Sequence, residues 1–120
     1  MTSASIDQFI SEVQVARSGV VSTREGGRTL LKLGPVNLPE GCIPNTTEAL
    51  VILDPTQAQP RLVVKDKPKT PRGIDPRNVN PETVGGEGWY GFSYRVPWDE
   101  TRHTAEQFIE SALARFAKNE

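Results

Sequence analysis

Helical hydrophobic periodicity appears at both ends of this chain and nowhere between them. Near the start, Ile6, Phe9, Ile10 and Val13 recur at the i, i+3, i+4, i+7 spacing that lines up one face of a helix. Near the end, Ala105, Phe108, Ile109, Ala112, Leu113 and Phe116 make a broader stripe of the same period. Such faces must be buried against something apolar. Ser5 with Gln8 and Thr104 with Gln107 have the spacing of a capping box at the two helix starts. Gly19 is the expected stop of the first helix, and Lys118 falls in the last turn of the second, where a cation suits the helix dipole.

The middle reads as strands. Gly19 to Thr23 and Arg28 to Leu33 flank Arg24-Glu25-Gly26-Gly27, a hairpin whose glycines accept positive φ, and Gly34-Pro35 is expected to end its second strand. Val36 to Thr46, with Pro39 and Pro44, reads as an extended connector. Thr47 to Leu53 carries five apolar residues in a row and is the clearest buried strand, closed by Asp54-Pro55. After a turn at Gln57 to Pro60, Arg61 to Asp66 follows as its antiparallel neighbour. Lys67 to Gly88, with four prolines and four glycines, reads as one long irregular loop, of the kind that is often functional. Trp89 to Val96 is a short aromatic strand.

Composition narrows the function classes. The chain has 120 residues, enough for one domain (1–120) with a modest core. A net charge of −1 argues against a broad nucleic-acid surface or a polybasic membrane face. One cysteine forms no internal disulfide, so a reducing, cytoplasmic setting is expected. Met1 to Ser5 has neither a basic start nor an apolar run, and the longest apolar run, Ala49 to Leu53, is far short of a membrane span.

The candidates for chemistry are few. Cys42 has Glu40 as its nearest charge in sequence, and a carboxylate raises a thiol pKa, so Cys42 reads first as a structural thiol. His103 is the only histidine, and it would serve as base to Cys42 only if the fold joined them. One Cys and one His do not make a zinc site, the acidic residues lack calcium-loop spacing, and no cofactor or metal is expected. Gly85-Gly86-Glu87-Gly88 is followed by a strand pattern, so it reads as a turn and not as a phosphate cradle. The basic run holding Lys65, Lys67, Lys69 and Arg72 is a candidate patch for an acidic partner, set against the simpler reading of a solvated loop. Trp89, Tyr90, Phe92, Tyr94 and Trp98 place five of the eight aromatics within ten residues. They serve as core anchors first and contact residues second, with Trp98 expected against the last helix.

The order of these elements, with Leu38-Pro39-Glu40-Gly41, the strand Ala49 to Leu53 and Trp98-Asp99 before an amphipathic helix, resembles the ubiquitin-conjugating-enzyme-like (UBC/RWD-like) superfamily and its divergent bacterial relatives. The family runs helix, antiparallel meander, proline-containing loop, helices. Its active-site segment carries His-Pro-Asn and then a cysteine, whereas Lys67 to Trp98 has neither histidine nor cysteine, and Cys42 precedes the central strand. The resemblance therefore implies a variant lacking the catalytic cysteine.

The expectation is an α+β domain, an antiparallel meander of about four strands packed on one face by the N- and C-terminal helices. The expected function is a non-catalytic protein-interaction module in a bacterial ubiquitin-like pathway. Its partner would be a ubiquitin-like or activating-enzyme-like protein, with no nucleic acid and no membrane involved. Its contact residues would be Trp89, Tyr90, Phe92, Tyr94, Lys67, Lys69 and Arg72. Two alternatives stand beside it: a thiol enzyme using Cys42 with His103, and a homodimeric structural or chaperone-like subunit.

Overall fold

The computed structural model describes residues 1–117, so the Lys118 expectation lies outside the described residues. Helix α1 spans Ser3–Ala16. Six strands follow: β1 (Val21–Glu25), β2 (Arg28–Asn37), β3 (Thr46–Leu53), β4 (Arg61–Val64), β5 (Val79–Val84) and β6 (Glu87–Phe92). Helix α2, Ala105–Ala114, runs on into a 3-10 turn at Arg115–Ala117. The strands form one wholly antiparallel sheet in the order β1-β2-β3-β4-β6-β5. The α+β class and the antiparallel sheet are as expected, but six strands replace the expected four or so.

The strand that falls where no strand was read is β5, inside the stretch read as a loop. Its sequence, Val-Asn-Pro-Glu-Thr-Val, is polar and holds Pro81, which an inner strand would not tolerate. It forms because β5 is an edge strand hairpinned to β6, with Val84 opposite Glu87 across the two-residue turn Gly85-Gly86. The β1–β2 hairpin is built the same way, with Glu25 opposite Arg28 across Gly26-Gly27. In both turns both glycines have positive φ (56° and 85°; 59° and 80°), the pattern of the type I′ turn that matches strand twist.

Other boundaries move for identifiable reasons. The N-cap of α1 is Thr2, whose hydroxyl accepts from the Ser5 N–H at 3.0 Å, and Gln8 bonds Glu12 instead of forming a box with Ser5. Gly34-Pro35 does not end β2, because a bulge between Lys32 and Gly34 absorbs one extra residue and pairing continues to Asn37. The aromatic strand stops at Phe92. The expected box at α2 is present: Thr104 Oγ1 accepts from the Gln107 N–H, and the Gln107 side chain accepts from the Thr104 N–H.

Both helices pack on one sheet face. Phe9 sits edge-on to Trp98 and to Phe108, with ring centroids 5.6 and 6.1 Å apart, over Leu31, Val51, Leu53 and Val64. The Trp98 indole N–H donates to the Thr104 carbonyl at 3.1 Å, so this residue joins both helices at the N-terminus of α2. Arg17 forms a two-pronged pair with Glu106 across the helix layer.

Among the described residues no helix covers the opposite face, yet Leu30, Leu50, Ile52, Val63, Val84 and Trp89 are buried there as a second cluster. The rolling of the sheet explains this. A Cβ placed on Gly85 would lie 3.5 Å from Glu25 Oε2 and 3.6 Å from Leu30 Cδ1, so the two hairpin tips meet although they belong to opposite edges of the sheet. Ion pairs Arg28–Glu25, Arg61–Glu82 and Lys65–Glu87 rim the cluster, and the Lys65 ammonium lies 4.9 Å above the Trp89 ring.

Candidate interaction surface

Two long connections meet at one end of the molecule. Leu38 to Asn45 leads from β2 into β3, and Lys65 to Asn78 leads from β4 into β5. Ile43 and Lys69 exchange both backbone hydrogen bonds, at 3.1 and 2.7 Å, a one-rung ladder between the loops. Gly41 has φ +92° and lies so close to Pro71 that a Cβ would come within 2.9 Å of the proline ring, so no other residue fits there. Thr70 is buried, its N–H donating to the Ile74 carbonyl and its carbonyl accepting from the Gly73 N–H, each at 2.8 Å, which folds residues 70–74 into a tight turn. The Thr47 hydroxyl donates to Asp66 and accepts its N–H, tying the loop base to β3.

Lys67 and Lys69 both turn to Asp75, at 3.7 and 2.8 Å. The Lys69 hydrogen bond first, then the charge of Lys67, hold the Asp75 carboxyl below its ordinary range. One carboxylate thus serves two cations, while Arg72 and Arg77 are exposed and enter no ion pair among the described residues. Lys65 to Asn78 holds five cations and two carboxylates, a local +3 in a chain of −1.

The same end carries apolar surface. Ile43 is 67% exposed and Ile74 46%, in a molecule that exposes few large apolar side chains. Tyr94, 37% exposed, belongs to this end through a stack: its ring lies 5.1 Å from Phe92, Phe92 lies 4.6 Å from Phe116, and Cys42 Sγ is 4.0 Å from the Phe116 carbonyl oxygen. Arg115 caps Tyr94 at 5.6 Å. This end therefore combines charged, aromatic and exposed aliphatic side chains on loops pinned by backbone hydrogen bonds.

The expected contact residues separate. Lys67, Lys69, Arg72 and Tyr94 are at the surface of this end. Trp89 and Phe92 are each 5% exposed and belong to the two cores on opposite sheet faces, in the anchoring role expected of them first. Tyr90 is half-buried against the helix-side core. Ile43 and Ile74, exposed at this end, are not among the expected contact residues. The available signal was an isolated aliphatic residue inside a Pro/Gly-rich loop, where no periodic face exists to bury it.

Cys42 is 3% exposed, and burial pushes its thiol pKa up, away from the thiolate. His103 lies on the turn before α2, with Nδ1 accepting the Asp99 N–H at 3.0 Å. The two residues sit at opposite ends of α2, roughly 15 Å of helix apart, so they form no dyad. His103 does line a cleft of about 270 Å³ with Phe9, Glu12 and Trp98. Of its two carboxylates, Glu12 is occupied structurally, accepting from the Ala105 N–H at 2.8 Å and from the Gln8 amide, and Glu100 is the other. Among the described residues no three His, Cys, Asp or Glu side chains are placed to hold a metal, and no helix is long and apolar enough to cross a membrane.

Comparison with family models, curated proteins and solved structures finds no match to this chain.

Proposed function

We propose that this chain is a non-catalytic protein-interaction module that docks its partner on the loop end formed by Leu38 to Asn45 and Lys65 to Asn78. The observation that carries this reading is the coincidence of exposed Ile43 and Ile74 with Arg72 and Arg77, on loops held rigid by the Ile43–Lys69 rung and the Gly41–Pro71 contact. Pinning reduces the ordering cost of binding, and the local +3 selects an acidic partner surface. The resemblance to the UBC/RWD-like superfamily supplies the class of partner, a ubiquitin-like or activating-enzyme-like protein of a bacterial ubiquitin-like pathway in the cytoplasm. The buried Cys42 thiol supports a non-covalent role.

The test is an affinity capture from the native source, run with and without reductant, using the parent chain and two variants, Ile74→Asp and Arg72→Glu. Equal recovery of an acidic partner with and without reductant, lost in both variants, is the expected result. A partner released only by reductant would mean a covalent link through Cys42 and would defeat the non-catalytic reading. Recovery unchanged in both variants would remove the loop end as the docking surface.

A further inference from the structure

The two edges of the sheet differ in what they can bond. In a hairpin closed by a two-residue turn, the pair flanking the turn exchanges both backbone hydrogen bonds, and such pairs alternate along the ladder. On the β1 side the closing pair is Glu25 with Arg28, so Val21, Thr23 and Glu25 direct their N–H and C=O groups to β2. Ser22 and Arg24 direct theirs outward. Every residue of β1 is exposed or half-buried, and none is proline. On the other side the closing pair is Val84 with Glu87, so Asn80, Glu82 and Val84 bond to β6, and Pro81 falls at an outward position. Having no N–H, Pro81 leaves a gap in that edge where an incoming strand would need a donor.

We propose that β1 pairs antiparallel with β1 of a second copy of this chain, about a two-fold axis at Thr23, to give one continuous sheet across the pair. The register follows from the outward groups. Centring on Thr23 sets Ser22 opposite Arg24 of the second copy, and Arg24 opposite Ser22, so all four outward residues form hydrogen-bonded pairs. The two Thr23 residues face each other as a non-hydrogen-bonded pair, a favourable Thr–Thr contact, and Val21 meets Glu25. A register centred on Arg24 would set the two Arg24 side chains directly opposite each other, and one centred on Ser22 would leave Arg24 beyond the end of the partner β1. The second copy is the occupant because the strand complements itself in this one register, as a two-fold interface requires.

The test uses the full chain at concentrations from about 10 μM to 1 mM, with mass measured by sedimentation. The expected result is a rise from 13.2 kDa towards twice that value. Ser22→Pro removes an outward donor and leaves the β1–β2 ladder whole, so it should keep the circular dichroism of the parent and stay monomeric. Thr23→Cys should cross-link to itself under mild oxidation, since facing residues of such a pair lie about 4.5 Å apart at Cα, within disulfide reach, and Cys42 is buried. Arg24→Cys meets Ser22 and not its own copy, so it should cross-link at least about tenfold more slowly. A parent chain monomeric throughout, a pair that persists in Ser22→Pro, or equal cross-linking of the two cysteine variants would each overturn the proposal. If Ser22→Pro failed to fold, the cysteine comparison would still decide it.

Discussion

The β1–β2 and β5–β6 hairpins share a design and differ in exposure. Each is closed by a Gly-Gly turn, each supplies one edge of the sheet, and their tips meet where Gly85 lies against Glu25. The β5 edge is interrupted by Pro81, whereas the β1 edge offers unbroken donors and acceptors. The contrast teaches that rolling a sheet buries its second face without protecting its edges. Side-chain burial and backbone saturation are separate problems, and this chain solves the first with both hairpins and the second with only one.

The largest effect comes from the cluster that both hairpins enclose. Trp89→Ala empties the space between them and should cost about 3–5 kcal/mol, read by urea unfolding. A cost below about 1 kcal/mol would mean that the rolled face contributes no real core. Next comes a proline pair that contrasts inward and outward positions on β1. Thr23→Pro removes a donor that bonds β2 and should cost about 1–3 kcal/mol, while Ser22→Pro should leave the thermal midpoint nearly unchanged. Equal costs would refute the assignment of inward and outward groups. The two turns should then respond alike: Gly26→Ala and Gly85→Ala each force a side chain into positive φ, at about 1–2 kcal/mol. An added Cβ finds open space at Gly26 and ordinary contact distances at Gly85.

The smallest effect is a titration at the seam. The Arg28 guanidinium, and after it the Gly85 N–H, hold the Glu25 carboxyl below its ordinary value. A depressed carboxylate stabilises the fold above its unfolded pKa, and that contribution is lost as the pH falls through the lower folded value. The Gly85 amide resonance should therefore shift as acid is added in that window. Glu25→Gln should abolish the shift, and its persistence in that variant would remove Glu25 as the cause.

How much of this was legible depended on whether a segment's environment repeats along it. Both helices and β3 were readable because Phe9, Val13, Phe108 and Ile109, or Leu50 to Leu53, are buried in a regular period. Strand β5 was not, because an edge strand needs apolar residues only at the few positions that face a core, here Val79 and Val84, and it tolerates Pro81 on its outward side. The aromatic run was legible as core anchors but not as to which core each enters. With both sheet faces buried, Trp89 and Phe92 point to different faces and enter different clusters. In the candidate surface the cations were visible as a run. Ile43 and Ile74 were not, since their significance comes from the Ile43–Lys69 rung that joins two loops distant in sequence.

The single thiol of Cys42, sealed against Phe116, makes the molecule its own gauge of local opening. An alkylating reagent in native buffer can react only when the loop-to-helix joint parts. The ratio of that rate to the rate for a free thiol is then the equilibrium constant for opening at this one place. A partner seated on the neighbouring loops would slow the reaction, so its binding would be recorded at an atom it never touches.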